Sequence, residues 1–239
     1  GAMDKPESFA FYVGADGNLS VFYSMRADKR QGWMLWSTAG SFHSICAVGS
    51  RLFTAVVRDN GSGTNKFYIE EFQSSMPMDY CQLYSGSAGV FSVSTNFANG
   101  AVVKVVSGSD YLGEFTVASG NVDVSAISNS VTSAYIGYAF TPEMKTNPVD
   151  GNVGNGPVTG KPRRITSVIL DLENTLSVSV DGTDLIVRQV NDDFSTARTA
   201  VSGKKEFFVL GFDRDPTVTV SQSAPMTLQL NGLTTEMTI

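Results

Sequence analysis

The chain has 239 residues, 42% hydrophobic and 17% charged, and its 17 basic and 23 acidic side chains leave a net charge of −6. That length supports one large β domain or roughly two to three small ones. The acidic balance, with a pI of about 4.8, argues against tight binding of nucleic acid through phosphate neutralisation, which needs a basic face, but leaves room for a channel that DNA slides through ungripped.

No apolar run approaches the roughly 20 residues of a membrane helix, so no membrane insertion is expected. Gly1, Ala2 and Met3 read as the scar of a removed tag and are left out of the expected fold, which suggests a piece of a longer protein.

Helical periodicity is nearly missing. The runs are short, rich in Val, Phe, Tyr, Thr and Ser, and punctuated by glycine, so an all-β chain is expected. Residues 8–13 and 19–24 form a hairpin around Asp16-Gly17, a pair suited to the positive φ angles of a tight turn. A charged loop at 26–31 leads to strands at 32–38, 42–48, 51–58 and 66–72. Their spacing of roughly ten residues fits a meander of partial propeller blades over residues 1–75. Six strands make about one and a half four-stranded blades, so further residues or a partner would complete the ring.

Residues 76–128 change character. Short strands at 79–85, 90–94, 101–107, 114–118 and 121–125, separated by Gly and Ser, read as a small β-barrel or sandwich. Residues 129–239 read as a C-terminal β-sandwich platform. It opens with a strand at 133–140 and continues through 141–162, a Gly-, Pro- and Asn-loaded mobile loop or arm. Strands follow at 163–172, 175–180 and 184–190, then a polar loop at 191–205 and a strand at 207–210. After a turn at 213–216, Thr217-Val218-Thr219-Val220 alternates with period two, and Pro225 precedes a last strand at 226–230.

Chemistry-bearing residues are sparse. Cys46 and Cys81 lack a CxxC partner and are expected as free, buried thiols, and no zinc spacing is present. His43, the one histidine, has serines and aspartates about it, but no GxSxG elbow, and reads as a half-exposed strand residue rather than a catalytic base. The 59–65 loop offers oxygen donors without the carboxylate count of a calcium loop, and reads as a hairpin. Asp213 and Asp215 read as parts of a structural turn with local ion pairing. Trp33 and Trp36 alternate to opposite strand faces, so at most one joins Tyr12 or Tyr23 in a sugar-stacking platform. Lys161, Arg163 and Arg164 are the candidates for touching phosphate or an acidic neighbouring subunit, against the alternative of a solvated cluster.

Several motifs occur in an order that resembles one family. Phe11-Tyr12-Val13 with Asp16-Gly17-Asn18-Leu19, then Gly32 to Trp36, then Ser44 to Val48, resembles the "DG-L … aW … sva" blade repeat of the tail nozzle proteins (tail tubular protein B) of short-tailed double-stranded-DNA phages. In the middle of the chain, Asp79 to Ser85 is similar to the family's entry strand, Gly100 to Val103 to its "GetV" turn, and Thr116 to Gly120 to its "tVs-G" hairpin. Ile136 to Phe140 matches "vGlpY" with Ala139 in place of proline, and Lys161 to Ile165 matches "kRRi" with Pro162 interrupting it. Asp213-Arg214-Asp215 through Pro225 to Leu228 matches the "DRD…vti…PlPlt" ending, with Ser223 and Ala224 where acidic residues are common.

The resemblance implies a propeller-plus-platform subunit in a six-fold ring of identical copies at the distal end of a virion tail. There it contacts neighbouring tail proteins, helps retain the packaged DNA and then conducts it. The chain would be the C-terminal part of such a protein or a small relative. A non-enzymatic structural role with no cofactor and no metal is the leading expectation. The alternative is a carbohydrate-binding β module on a virion or a secreted protein, and a hydrolase ranks last.

Overall fold

The computed structural model describes residues 2–4, 8–25, 29–59, 63–73, 78–148, 152–153, 156–157, 162–187, 198–209 and 211–238. Among these the fold is all-β, with no helix and several small antiparallel sheets, none closed into a barrel. None of the described residues forms a helix long and apolar enough to cross a membrane. The chain divides into two compact units, Gly1–Ser107 with Leu112–Phe140, and Gly108–Tyr111 with Thr141–Ile239.

The first unit opens with a four-stranded meander of β1 (Ala2–Asp4), β2 (Ser8–Val13), β3 (Leu19–Met25) and β4 (Arg30–Trp36), in that spatial order. Ala2 and Met3, expected to lie outside the fold, pair with Ala10 and Phe9, because a backbone ladder needs no particular side chain. The β2–β3 turn closes where Gly17 takes φ +79° and the Asp16 carboxylate accepts the Asn18 N–H and side-chain amide at 3.1 and 2.7 Å. A second meander follows, β5 (Ser41–Val48), β6 (Arg51–Arg58) and β7 (Lys66–Glu71). Alternation puts Phe11, Leu19 and Val21 on one face of the first sheet, where they share a core with Phe42, Leu52 and Val56 of the second. Burying each such side chain is worth about 1.5–3 kcal/mol.

The rest of this unit is a duplication. β8 (Asp79–Ser85), β9 (Val90–Ser92) and β10 (Val102–Ser107) are followed by β11 (Asp110–Thr116), β12 (Asn121–Asp123) and β13 (Ser133–Tyr138), each displaced from its counterpart by 31 residues, as 79 is from 110, 90 from 121 and 102 from 133. Asp79-Tyr80 recurs as Asp110-Tyr111, Gly89 as Gly120, and Val93-Ser94 as Val124-Ser125.

The geometry repeats with the sequence. Ala88 and Ser119 both sit at φ +52°, followed by Gly89 at +78° and Gly120 at +74°. Val93 N–H donates to Gly120 O at 2.9 Å, and Val124 N–H returns the bond to Gly89 O at 2.8 Å. The local two-fold runs between Val105 and Ile136, which pair with each other and are flanked by Lys104 opposite Gly137 and Val106 opposite Tyr135. Each ladder joins one repeat to the other: β8 to β13, β13 to β10, β10 to β11, and β9 to β12. Phe91, Val93, Val103 and Val105 are buried, and so are their counterparts Val122, Val124, Ala134 and Ile136.

The second unit holds β14 (Glu143–Lys145), β15 (Asn152–Val153), β16 (Gly156–Pro157), β17 (Arg164–Thr175), β18 (Ser179–Val180), β19 (Thr183–Asp184), β20 (Val201–Phe208), β21 (Thr219–Ser221) and β22 (Leu230–Thr238). The long β17 lies between β20 and β22, and a second sheet runs β14-β21-β18-β19. Val168, Leu170 and Leu172 of β17 share one core with Phe207, Val180, Val218 and Val220.

Several segments differ from expectation; the expected strand at 175–180 is strand only at Thr175 and Ser179–Val180, and that at 184–190 gives β19 with residues 185–187 outside any strand. Glu143–Lys145, inside the expected mobile loop, pairs with β21. The expected polar loop yields from Val201 onward to β20. The last strand begins where the expected one ended, at Leu230, and pairs with β17 through to Thr238. The added stretches are mostly polar or half-exposed, so backbone ladders do much to hold them, with Phe207 of β20 and Leu230 and Leu233 of β22 packing on the core.

Candidate functional site

Two features of the first unit stand out chemically: a buried arginine that joins its parts, and two uncovered apolar sheet faces. Arg58 ends β6 with its side chain 1% exposed. Its Nε and Nη2 donate to Glu70 of β7 at 2.6 and 2.7 Å, Nη1 donates to the Ala39 carbonyl at 2.6 Å, and Nη2 and Nη1 donate to Asp79 at 2.7 and 3.1 Å. All five guanidinium donors are thereby used. Asp79 also accepts the Thr38 hydroxyl at 2.9 Å and the Ala39 N–H at 2.6 Å, and the Tyr80 ring lies 4.9 Å from the guanidinium carbon.

Burial pulls the Arg58 pKa down, and the bonds to Glu70 and Asp79 more than offset it, so the group ends above the ordinary arginine value. One side chain fastens the second sheet, the β4–β5 loop and the start of the duplicated module. Tyr80, beside it, is held at φ +49°, an unusual angle for an aromatic residue.

The outer face of the first sheet carries Tyr12, Phe22, Trp33 and Leu35, set among Ser20, Ser24 and Gln31 by the β2–β3–β4 register. Trp33 is 65% exposed and Leu35 66%. The Trp33 ring stands 5.8 Å from Tyr12 and 4.9 Å from Phe22, tilted by 43° and 46°. Trp36 turns inward toward Phe11, as alternation predicts. The outer face of the second sheet carries Phe53, Val57, Phe67 and Ile69 by register, with Cys46 opposite Phe53. Ile69 is 76% exposed. Arg51 and Glu71 on that face form a two-pronged ion pair at 2.6 Å, and the Arg51 guanidinium lies over the Phe53 ring.

The basic candidates separate. Arg163 is fully buried; its guanidinium donates to the Arg214 carbonyl at 2.5 and 3.2 Å and stands 3.5 Å from Asp215. Its backbone exchanges hydrogen bonds with Asp213 at 2.7 and 2.8 Å, and the Asp213 carboxylate caps the turn by accepting the Arg214 and Asp215 N–H groups. Arg164 is half-buried, with its guanidinium 5.8 Å from the exposed Phe212 ring. Lys161 lies outside the described residues. Comparison with known protein families finds no match, and no curated protein matches the sequence.

Cys46 and Cys81 are free, but Cys46 is exposed rather than buried because it falls on the outer face of β5. Cys81 is half-buried, and burial pushes its pKa up to about 12. His43 is exposed at the β5 register shift, edge-on to Phe67 at 5.4 Å. An open depression of about 410 Å³ brings His43 near Asp16 and Ser41, yet among the described residues no hydrogen bond links these three, and both Asp16 oxygens are taken by Asn18. A nucleophile needs a base already held against it, which this arrangement lacks. In the 59–65 loop, residues 60–62 lie outside the described set; Asp59 accepts the Gly63 N–H at 3.0 Å. Among the described residues no cluster of metal-ligating side chains occurs.

Proposed function

We propose that the protein is a structural subunit of a phage tail nozzle, assembled with identical copies in a ring that helps retain packaged double-stranded DNA and then conducts it. The carrying observation is a stack of two meander sheets whose outer faces expose Trp33, Leu35, Phe67 and Ile69. Exposed apolar faces of this kind mark surfaces meant for covering. In this reading β1–β4 and β5–β7 are consecutive blades of a partial propeller, the duplicated module is a small sandwich rather than a barrel, since its sheets stay open, and the second unit is the C-terminal sandwich platform. The order of motifs that resemble the nozzle family supports it. A net charge of −6 suits a lumen that must not grip phosphate. Lys161 and Arg164 are the residues offered to DNA or to an acidic neighbour, since the Arg163 guanidinium is occupied inside its own unit.

The carbohydrate-binding alternative rests on the Tyr12, Phe22 and Trp33 rings. Their tilts of 43° and 46° suit packing against side chains better than stacking along a flat sugar face. Light scattering over a concentration series, with negative-stain images, tests the ring. Closed assemblies of identical subunits are expected, and a particle that stays monomeric throughout would refute the reading.

A further inference from the structure

Within one copy, the inner face of the first sheet already packs on the inner face of the second through Phe11, Leu19 and Val21 against Phe42, Leu52 and Val56. The outer faces have the chemistry to continue that stack. By register, the outer face of β2–β4 presents aromatic, aliphatic, serine and glutamine side chains with no ionisable group besides the Tyr12 hydroxyl. On the other outer face, Arg51 and Glu71 neutralise each other. Covering these side chains strands no lone carboxylate, ammonium or guanidinium, the main cost that polar surfaces carry into an interface, and His43, edge-on to Phe67, is covered with the second face.

β6 reads Leu52-Phe53-Thr54-Ala55-Val56-Val57, apolar on both faces apart from one threonine. A strand patterned so is suited to burial on both sides. At strand spacings of about 4.8 Å and rises of about 3.3 Å per residue, each sheet offers a footprint of roughly 400 Å². The two together give about 800 Å² as flat areas, and side-chain relief raises this toward the ~1,200 Å² lower end of stable specific interfaces.

We infer that these two faces meet each other between copies: the Tyr12, Phe22, Trp33 and Leu35 face of one copy packs on the Phe53, Val57, Phe67 and Ile69 face of the next. The contact is head-to-tail, so each copy uses both faces and the series propagates until it closes. The inference rests on the ring reading and identifies the surface that builds the ring. Face-to-like-face pairing would instead give a closed dimer and set two Arg51–Glu71 pairs against one another.

The exposed Cys46, on the receiving face, is a built-in reporter. Leu35→Cys and, separately, Tyr12→Cys place a thiol on the opposing face at exposed positions that the core does not use. Under mild oxidation each variant should form disulfide-linked ladders beyond the dimer, with mass spectrometry mapping the bridge to Cys46. The ladder should form at least about tenfold faster than for Phe208→Cys, an exposed control position in the second unit, because an interface raises the effective thiol concentration. Adding Cys46→Ser or Ile69→Lys should abolish it.

Dimers alone, bridged Cys46 to Cys46, would overturn the head-to-tail contact. Ladders no faster than the control, while light scattering still reports assembly, would overturn this interface and leave the ring reading standing. Wild-type protein that never assembles would sink both. Binding of a glycan array that Trp33→Ala removes would assign the first face to a sugar and overturn the inference.

Discussion

Replacing Arg58 with alanine removes the one cation between Glu70 and Asp79, whose side chains are only 20% and 15% exposed. The two carboxylates would then face each other in a partly dry site, and the Ala39 carbonyl would lose its donor. Removing one partner of a buried ion pair typically costs about 3–5 kcal/mol, and this arginine serves two partners. With a urea slope of about 1–3 kcal/mol per molar, the midpoint should fall by roughly 1–5 M. Both tryptophans of the chain, Trp33 and Trp36, lie on β4, so their fluorescence follows the first unit. Arg58→Lys keeps the charge but loses the planar fork, and should recover only a minor part of the loss. Arg51→Ala, which breaks an exposed two-pronged pair, should move the midpoint little. If Arg58→Ala and Arg51→Ala shift the midpoint equally, the Arg58 guanidinium does not fasten Glu70 to Asp79. Asp79→Asn in the Arg58→Ala background should cost less than in the wild type, which a double-mutant cycle reads directly.

Gly89→Ala and Gly120→Ala should each lower the melting temperature more than Gly49→Ala. An added Cβ would stand 2.7 Å from the Ser128 carbonyl oxygen or 2.8 Å from the Ser94 Cβ in the duplicated module, whereas at Gly49, also at positive φ, nothing lies within 4 Å. At a dilution where copies are apart, a thiol titration near neutral pH should count one reactive cysteine in the folded protein, Cys46, and two after denaturation. Cys81 is neutral in both states well below pH 9; because its folded pKa is raised from 9.0 to about 12, its share of stability is intact there and fades as pH climbs toward 12, a decline that Cys81→Ala should flatten in urea melts. Arg163→Met should weaken the second unit by about 1.5–3 kcal/mol and speed hydrogen exchange at the Asp213 N–H, while Arg164→Ala leaves that amide protected.

The all-β character was legible because alternation and turn chemistry are local signals. Asp16-Gly17 announced the first hairpin, and period two in Thr217-Val218-Thr219-Val220 announced that the two valines share a buried side. Arg58 was not legible. An arginine closing an apolar strand resembles a solvated strand end, and its partners lie 12 and 21 residues further along the chain. The duplication was present at a fixed offset in Asp-Tyr, Gly and Val-Ser, but its other matched positions conserve burial rather than identity, as Phe91 and Val122 do. The basic run around Lys161 has the sequence of a single cluster. Neighbouring residues of an extended chain point to opposite sides, which sends Arg163 inward and leaves Arg164 half-exposed. The uncovered faces were half visible: Trp33 was placed opposite Trp36, but the outward pairing of Phe67 and Ile69 with the β6 side chains needed the register.

Neither half of the duplicated module owns a ladder of its own, since every row of paired strands there borrows from the other half. A solitary half would find its missing neighbours only in another molecule like itself, by swapping outer strands. Joined through Gly108 and Ser109, the two halves meet as tethered reactants, and a second-order encounter becomes a first-order closure. This region should therefore form at any dilution, whatever concentration the larger assembly demands.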